Sequence, residues 1–232
     1  MSKISFSGRH FEKDVMLQSI RWYLTYALSY RDIEELMKER GFDVDHSTIN
    51  RWVFHYSPQL EKAFHPKKKR PGDRWRMDET YIKVKGQWKY YYRAVDKQGN
   101  TIDFLLTAKR DKKAALRYFK KAIGRNGAPT LVNMDKSGAN KAAVSQYNAN
   151  EEASVDIRQC KYLNNIVEQV MRHSDHRGIK RITRPMMGFK NIHAAQHTLA
   201  GIELVRMLKK GQMKWQSQRN KTPAELFYAL AG

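Results

Sequence analysis

Apolar residues recur at helical spacing through the first third of the chain and change to strict alternation near residue 75, so the pattern predicts helices first and a sheet second. In "FEKDVMLQSIRWYLTYALSY", Phe11, Val15, Ile20, Tyr23, Leu24 and Ala27 form one stripe, which Leu17 and Trp22 widen; a buried helix over about 11–27 follows. Ser29, three residues before Asp32, makes a capping box that opens "YRDIEELMKERG", with Ile33, Leu36 and Met37 on one face and Gly41 at its end. Ser47 is placed to cap a third helix, "TINRWVFHYSPQLEKAF". There Ile49, Trp52 and Val53 face inward, Asn50, Arg51 and His55 stay outside, and Pro58 kinks or splits the helix. Two short helices joined by a tight turn, with Thr48, Asn50 and Arg51 near the start of the second, fit a DNA-reading helix-turn-helix. They fit an ordinary helical hairpin as well.

"HPKKKRPGDRWR" comes next, four consecutive cations, Lys67, Lys68, Lys69 and Arg70, between two prolines. Such a run predicts an exposed linker and a domain boundary. An import signal and a merely solvated strap are alternatives; a strap along nucleic-acid phosphates fits its position better.

From residue 75 the alternation puts Asp78, Thr80, Ile82 and Val84 on one strand face and Met77, Glu79, Tyr81 and Lys83 on the other. Asp78 and Glu79 therefore point to opposite faces, and only one can serve a given site. "GQ" and "KQGN" turn the chain through two further strands, completing an antiparallel meander. "DKKAALRYFKKAIG" predicts a helix with Ala115, Leu116, Phe119 and Ile123 inside and Gly124 at its end. "PTLVNMD" is a short strand ending at Asp135, "KSGANKAAVSQYN" a helix, and "SVDIRQC" a further strand. Asn165 then caps a helix that carries Glu168, and "NIHAAQHTLAGIELVRMLKKG" is an amphipathic helix ended by Gly211, expected to cover the sheet or a partner subunit. The boundaries implied are a helical domain over 1–65, a linker over 66–73, a sheet domain over 74–190 and a helical extension over 191–232.

Charge sharpens this picture. Lys and Arg number 44 against 23 Asp and Glu, a net +21 that calls for a polyanionic partner. Residues 1–73 carry 13 basic and 10 acidic groups, 74–160 carry 18 and 9, and 161–232 carry 13 and 4, so the grip on phosphates should lie in the last two thirds. The absence of an 18-residue apolar run or an apolar leader core argues for a cytoplasmic protein. Cys160 stands alone, excluding an internal disulfide framework and a thiolate zinc cluster. His193 and His197 have metal-compatible spacing but lack the acid and third ligand of a zinc site. Trp88, Tyr90, Tyr91 and Tyr92 suit either base stacking or sheet packing, the latter being the commoner use of aromatics in strands.

Three antiparallel strands, helix, strand, helix, strand, helix is an order that resembles the ribonuclease H-like fold of DDE transposases and retroviral-type integrases. In that α/β fold a mixed five-stranded sheet with helices forms the catalytic core, here preceded by an all-α helix-turn-helix domain. Asp78, Asp135 and Glu168, with 56 and then 32 intervening residues, match its three metal-binding carboxylates. Each also has a plain structural use: a strand-end charge, a turn former and the third-position acid of a helix cap. "GRHF", "VDHSTINRWV", "WRMDETYIKVKGQWKYYYRAVDKQGNTIDFLL", "KYLNNIVEQ", "DHRGIKR", "MMGFK" and "GIELVRMLKKGQ" are similar to segments of small bacterial insertion-sequence transposases that form cointegrates.

The resemblance implies binding to terminal inverted repeats, nicking of 3′ ends and their transfer to target DNA at the nucleoid. It also implies at least a homodimer, and two Mg²⁺ ions (Mn²⁺ able to replace them) held by the carboxylates. Lys180 matches a position expected to touch DNA near the metals, with Arg181 beside it. A DNA-binding regulator without catalysis and a nuclease that does not join ends are the competing readings. One departure from the family stands out: Val170 to Ser174 intervene between "NNIVEQ" and "DHRGIKR". In a continuous helix five residues add roughly 140° beyond a full turn and about 7.5 Å, which would take Lys180 off the face shared with Glu168. Either the insertion bulges locally, at Gly178 or at His173 to Ser174, and preserves the site, or the enzyme is weakened or inactive; Glu168, which precedes it, is expected to reach the metals either way.

Overall fold

A computed structural model describes residues 4–7, 10–136, 138–151, 153–160, 175–214 and 220–232. Glu168, its cap Asn165 and the segment Val170 to Ser174 lie outside the described residues. The chain divides into two compact units, a helical one made of residues 1–69 and 179–232 and a sheet unit made of 70–178.

In the helical unit, α1 (Lys13–Thr25) buries Val15, Met16, Leu17, Ile20, Tyr23 and Leu24. Leu17 widens the stripe as expected and Met16 widens it further, while Trp22 is only half-buried. At the start of α2 (Tyr30–Lys38) the capping box forms as expected. The Asp32 amide donates to Ser29 Oγ at 3.1 Å and the Ser29 amide to Asp32 Oδ2 at 2.7 Å, satisfying two otherwise unpaired helix-end donors. For α3 (His46–Phe64) the cap is Asp45 rather than Ser47, whose amide and hydroxyl both donate to it at 2.8 and 2.7 Å. A carboxylate two residues upstream captures these donors before the Ser47 hydroxyl can reach forward.

Pro58 neither ends nor splits α3. Proline lacks the N–H that would bond the carbonyl four residues back. That carbonyl belongs to Phe54, and His197 Nδ1 donates to it at 2.8 Å from α7 (Ile192–Lys209). His197 is thus structural, and the two rings lie 4.3 Å apart.

Helix α7, expected to cover the sheet or a partner subunit, packs within the helical unit against α3 and α1. Eleven of its residues are buried, more than one amphipathic stripe supplies, so it is an internal helix of this unit. Gly201 permits the crossing: a β-carbon there would lie 2.6 Å from Leu24 Cδ1 and 2.9 Å from Ser57 Oγ. The basic run departs from expectation too. After a 3₁₀ turn (His65–Lys67), Lys68 is only 7% exposed and forms an antiparallel bridge with Met213, while the Lys69 amide donates to the Gln212 carbonyl at 2.8 Å. A lysine's four-carbon stem allows this burial. Lys69 and Arg70 remain exposed. Two short helices, α6 (Asp175–Thr183) and α8 (Pro223–Ala229), complete the described helices outside the sheet unit's own pair; α6 begins in the sheet unit and ends in the helical one.

The sheet unit has strands β1 (Arg74–Val84), β2 (Gln87–Asp96), β3 (Thr101–Thr107), β4 (Leu131–Met134) and β5 (Asp156–Gln159) in the order β3-β2-β1-β4-β5. The first three are antiparallel, and β4 and β5 join parallel. Lys85 and Gly86, both at positive φ, form the β1–β2 turn; this is the two-residue geometry that matches strand twist, one position earlier than expected. Asp96 organises the next turn, accepting from the amides of Gln98 and Asn100 at 3.0 and 2.8 Å. α4 (Lys112–Asn126), capped by Asp111, runs through Gly124 and ends at Gly127, whose φ of 85° only glycine adopts readily. With α5 (Gly138–Glu151) it covers one sheet face, enclosing Trp75, Met77, Tyr92, Ala94, Tyr118, Phe119, Val132 and Met134. Each large side chain fully buried there contributes about 1.5–3 kcal/mol.

Candidate active site

Burial along β1 changes face in mid-strand. Trp75 and Met77 are buried on the helix-covered side, whereas Thr80, Ile82 and Val84 are buried on the other. The change falls at Asp78 and Glu79, both residues of intermediate burial, where an alternating strand would normally place one in each environment.

The parallel pairing of β1 with β4 aligns Arg76 with Asn133. Two residues beyond that last rung on each chain stand Asp78 and Asp135, the two predicted ligands. Asp135 lies just past the end of β4 with its side chain 42% exposed, and Gln159 Nε2 donates to its carbonyl at 3.3 Å. Asp78 Oδ1 accepts from the Glu79 amide at 2.8 Å.

Sequence reasoning missed what lies beside them. Arg110, in the loop between β3 and α4, pairs through Nε with Glu79 Oε2 and through Nη2 with Asp135 Oδ2 at 3.0 Å. Glu79, with its side chain 7% exposed, also accepts from Asn140 Nδ2 of α5 at 2.6 Å. Its Oε2 has charge contact with Arg110 but no hydrogen-bond geometry. Burial raises the Glu79 pKa, and Asn140 and Arg110 only partly oppose this. For Arg110, burial works against the charge, yet Glu79, Asp135 and Tyr81 outweigh it and hold the guanidinium above its ordinary value. An acidic cluster around one arginine inside a cationic chain is thus partly neutralised from within. The available signal was the "RD" pair before a predicted helix, but Asp111 of that pair serves only as the cap.

The proposed DNA-contacting residues fall in different places. On α3, Thr48, Arg51 and His55 line one concavity with His10 and Trp52, and Asn50 lines a second with Ser47 and Phe54. Arg51 Nη2 donates to Thr48 Oγ1 at 2.9 Å. Lys180 is half-buried and Arg181 exposed on α6. Burial lowers the Lys209 pKa, and the nearby charges of Arg181, Arg21 and Arg206 lower it further, which marks a concentrated positive patch on the helical unit. Among the described residues, three ligand-bearing side chains converge only at Glu34, Asp45 and His46, where His46 Nδ1 is 2.9 Å from Glu34 and Asp45 is already the α3 cap.

A mixed sheet in this strand order, with carboxylates in the middle of its central strand and just beyond β4, defines a ribonuclease H-like core of the polynucleotidyl-transferase type. The chain belongs to the insertion-sequence DDE transposase family: residues 72–212 match the DDE domain of IS240-type transposases. It is 42% identical over 207 residues, 88% of each chain, to the transposase for insertion sequence-like element IS431mec of Staphylococcus aureus strain Mu50. Identity and coverage are the same for the transposase for insertion sequence element IS257 in transposon Tn4003, also from Staphylococcus aureus. Among solved structures, the catalytic core domain of BIV integrase is similar at 15% identity and a TM-score of 0.45, covering 68% of this chain and 95% of that one. At that score the likeness adds no weight beside the strand order. No described helix is long and apolar enough to cross a membrane.

Proposed function

We propose that this transposase binds the terminal inverted repeats of its insertion sequence through α2 and α3, nicks the 3′ ends and joins them to target DNA, working as at least a dimer. The observation that carries the catalytic part is the parallel β1–β4 pairing, whose last rung, Arg76 with Asn133, precedes Asp78 and Asp135 by two residues on each chain. Both offer hard oxygen donors, so the donor set suits Mg²⁺ or Mn²⁺ rather than zinc. Glu168 is the third carboxylate of this reading. The metals would supply nucleophile activation and leaving-oxygen stabilisation.

The protein's own residues have separable tasks. Asp78 and Asp135 present the oxygens, and Glu79 with Asn140 holds Arg110 against Asp135, limiting carboxylate repulsion before DNA arrives. Asn50 on one stripe of α3 and Thr48 with Arg51 on the other read base edges, in the manner of a recognition helix. Lys69, Arg70, Lys180 and Arg181 hold phosphates. Lys67 is half-buried and Lys68 is withdrawn into the 212–214 bridge, so both contribute less to that grip.

Pre-nicked element ends incubated with Mg²⁺ and target DNA test the reading. Joined product that disappears in Asp78→Asn and Asp135→Asn proteins, while end binding persists, supports it. Binding without nicking under any metal condition would favour the regulator, and fragments without joined product the nuclease. Deleting Val170 to Ser174 addresses whether that insertion weakens this copy: a clear gain in joining supports impairment, and unchanged or lower joining rejects it.

A further inference from the structure

The aromatic run of β2 is divided by its surroundings. Tyr91 and Tyr92 are fully buried, Tyr92 stacking with Tyr118 at a centroid distance of 5.8 Å, while Trp88 is 61% exposed. Directly opposed residues of an antiparallel pair share a face, and the register is Glu79 with Tyr92, Tyr81 with Tyr90 and Lys83 with Trp88. One surface therefore runs from Glu79 to the hairpin tip. Helices α4 and α5 cover its first rung at Tyr92. Beyond it Tyr81, 48% exposed, meets Tyr90 at 5.5 Å and Trp88 at 6.5 Å in tilted and edge-on geometry.

Charge identifies the kind of partner this surface fits. From Thr80 to Val95 there is no acidic residue, and Lys83 and Lys85 are exposed around the tip with Lys89 half-buried. Large exposed aromatics beside hairpin lysines are poor material for an ordinary solvated face but combine base stacking with phosphate attraction. The two-residue Lys85–Gly86 turn fixes the tip, so Trp88 is held ready rather than ordered on contact. Four residues of strand separate the Glu79 rung from the Lys83 rung, about 13 Å at the usual rise. At about 3.4 Å per nucleotide along a strand, that spans roughly four nucleotides.

We propose that Trp88, supported by Tyr81 and the hairpin lysines, stacks on an unpaired DNA base about four nucleotides from the phosphate held at the carboxylates. The location rests on the reading of Asp78 and Asp135 as the reaction site; the stacking itself does not. A frayed or forked end supplies such a base, whereas fully paired duplex hides both of its faces.

The test uses the full-length protein and duplexes ending in the inverted repeat that flanks its gene, either blunt or forked, with 2-aminopurine placed in turn at positions one to eight from the transferred end. The expected result is a fluorescence change centred near the fourth position on the forked end, lost in Trp88→Ala and largely kept in Trp88→Phe. Affinity for the forked end should fall about 5- to 100-fold in Trp88→Ala, with less than a twofold change on blunt duplex and an unaltered melting temperature. Equal losses on both DNAs, or no loss on either, would overturn the proposal. So would conversion of an oligomer to monomers by Trp88→Ala in light scattering, because the patch would then be a subunit contact. Asp135→Asn separates the two readings: it should keep the fluorescence change and lose joining. If wild-type protein gives the change but never joins ends, the stacking stands and the catalytic reading fails.

Discussion

Arg51 and Arg110 are both arginines of a chain with net charge +21, yet the two units treat them in opposite ways. Arg51 is exposed on α3, tethered by one hydrogen bond to a neighbour three residues away. Arg110, its side chain 34% exposed, is divided between Glu79 and Asp135, residues 31 and 25 positions away from it. A cation of the first kind is free to exchange water for DNA, and its worth is realised in the complex. One of the second kind is already engaged by protein, and removing it leaves carboxylates without their neutralising charge. The helical unit thus keeps its chemistry on the surface of a single helix, while the sheet unit assembles its chemistry from several elements.

The most severe way to break this contrast is at Asp135. Asp135→Asn should reduce strand joining by about a thousandfold or more, the scale of several kcal/mol of transition-state stabilisation, with end binding nearly unchanged in a gel-shift titration. Arg51→Ala should do the reverse, removing about 1–3 kcal/mol of preference for the cognate end over random DNA and leaving chemistry on bound ends intact. Equal losses on both DNAs would make Arg51 a phosphate contact only.

Arg110 sharpens the comparison through effects of opposite sign. If it competes with a divalent ion for Asp135, Arg110→Gln should tighten Mn²⁺ binding to the DNA-free protein about fivefold, about 1 kcal/mol for a partly screened charge, whereas Arg110→Lys should change it less. Glu79→Gln should weaken Mn²⁺ binding by a similar factor, because Arg110 would then lean wholly on Asp135. Electron paramagnetic resonance of free Mn²⁺ reads all three, and loss of binding in every variant would indicate mere disruption of the fold.

Smaller effects are expected at the unit boundary and the helix caps. Replacing Lys69 and Arg70 with Gln should lower the slope of log affinity against log salt by about 1.8 on any DNA, while Lys68→Gln should leave the slope unchanged and lower the melting temperature instead. Asp45 is held below the usual carboxylate range by the Ser47 hydroxyl and amide. The cap's contribution is therefore complete above the unfolded carboxylate's pKa and disappears as pH falls through the lower folded value. Asp45→Asn still accepts the hydrogen bonds but does not titrate there, so the melting-temperature difference between the two proteins should shift on acidification from pH 5 and be flat above it.

Local signals were mostly read correctly where the physics is local, although the α3 cap is Asp45 rather than Ser47 and α4 ends at Gly127 rather than Gly124. The Ser29–Asp32 box, the buried faces of α2 and α3 and the β1–β2 hairpin depend on residues close in sequence, and the turn was misplaced by only one position. The larger failures had non-local causes. Lys68 looked exposed because nothing nearby in sequence announces the 212–214 segment that pairs with it, and α7 looked like a cover for the sheet or a partner subunit because amphipathicity does not name its partner. Pro58 was read as a kink or a split, since the histidine that satisfies the freed Phe54 carbonyl comes from residue 197.

By itself, the sequence determined the helix-then-sheet order, the cationic character, the positions of Asp78 and Asp135 along their strands and, through its motifs, the transposase family. These follow from spacing and composition, which folding does not alter. Only the tertiary structure decided that Arg110 and Asn140 join Glu79 beside Asp135, that Tyr92 is core while Trp88 stands in solvent, and that the C-terminal helix belongs with the first three. Each of these depends on which surfaces meet after the chain has crossed tens of residues. Charge pairing and burial are properties of that meeting rather than of either segment alone.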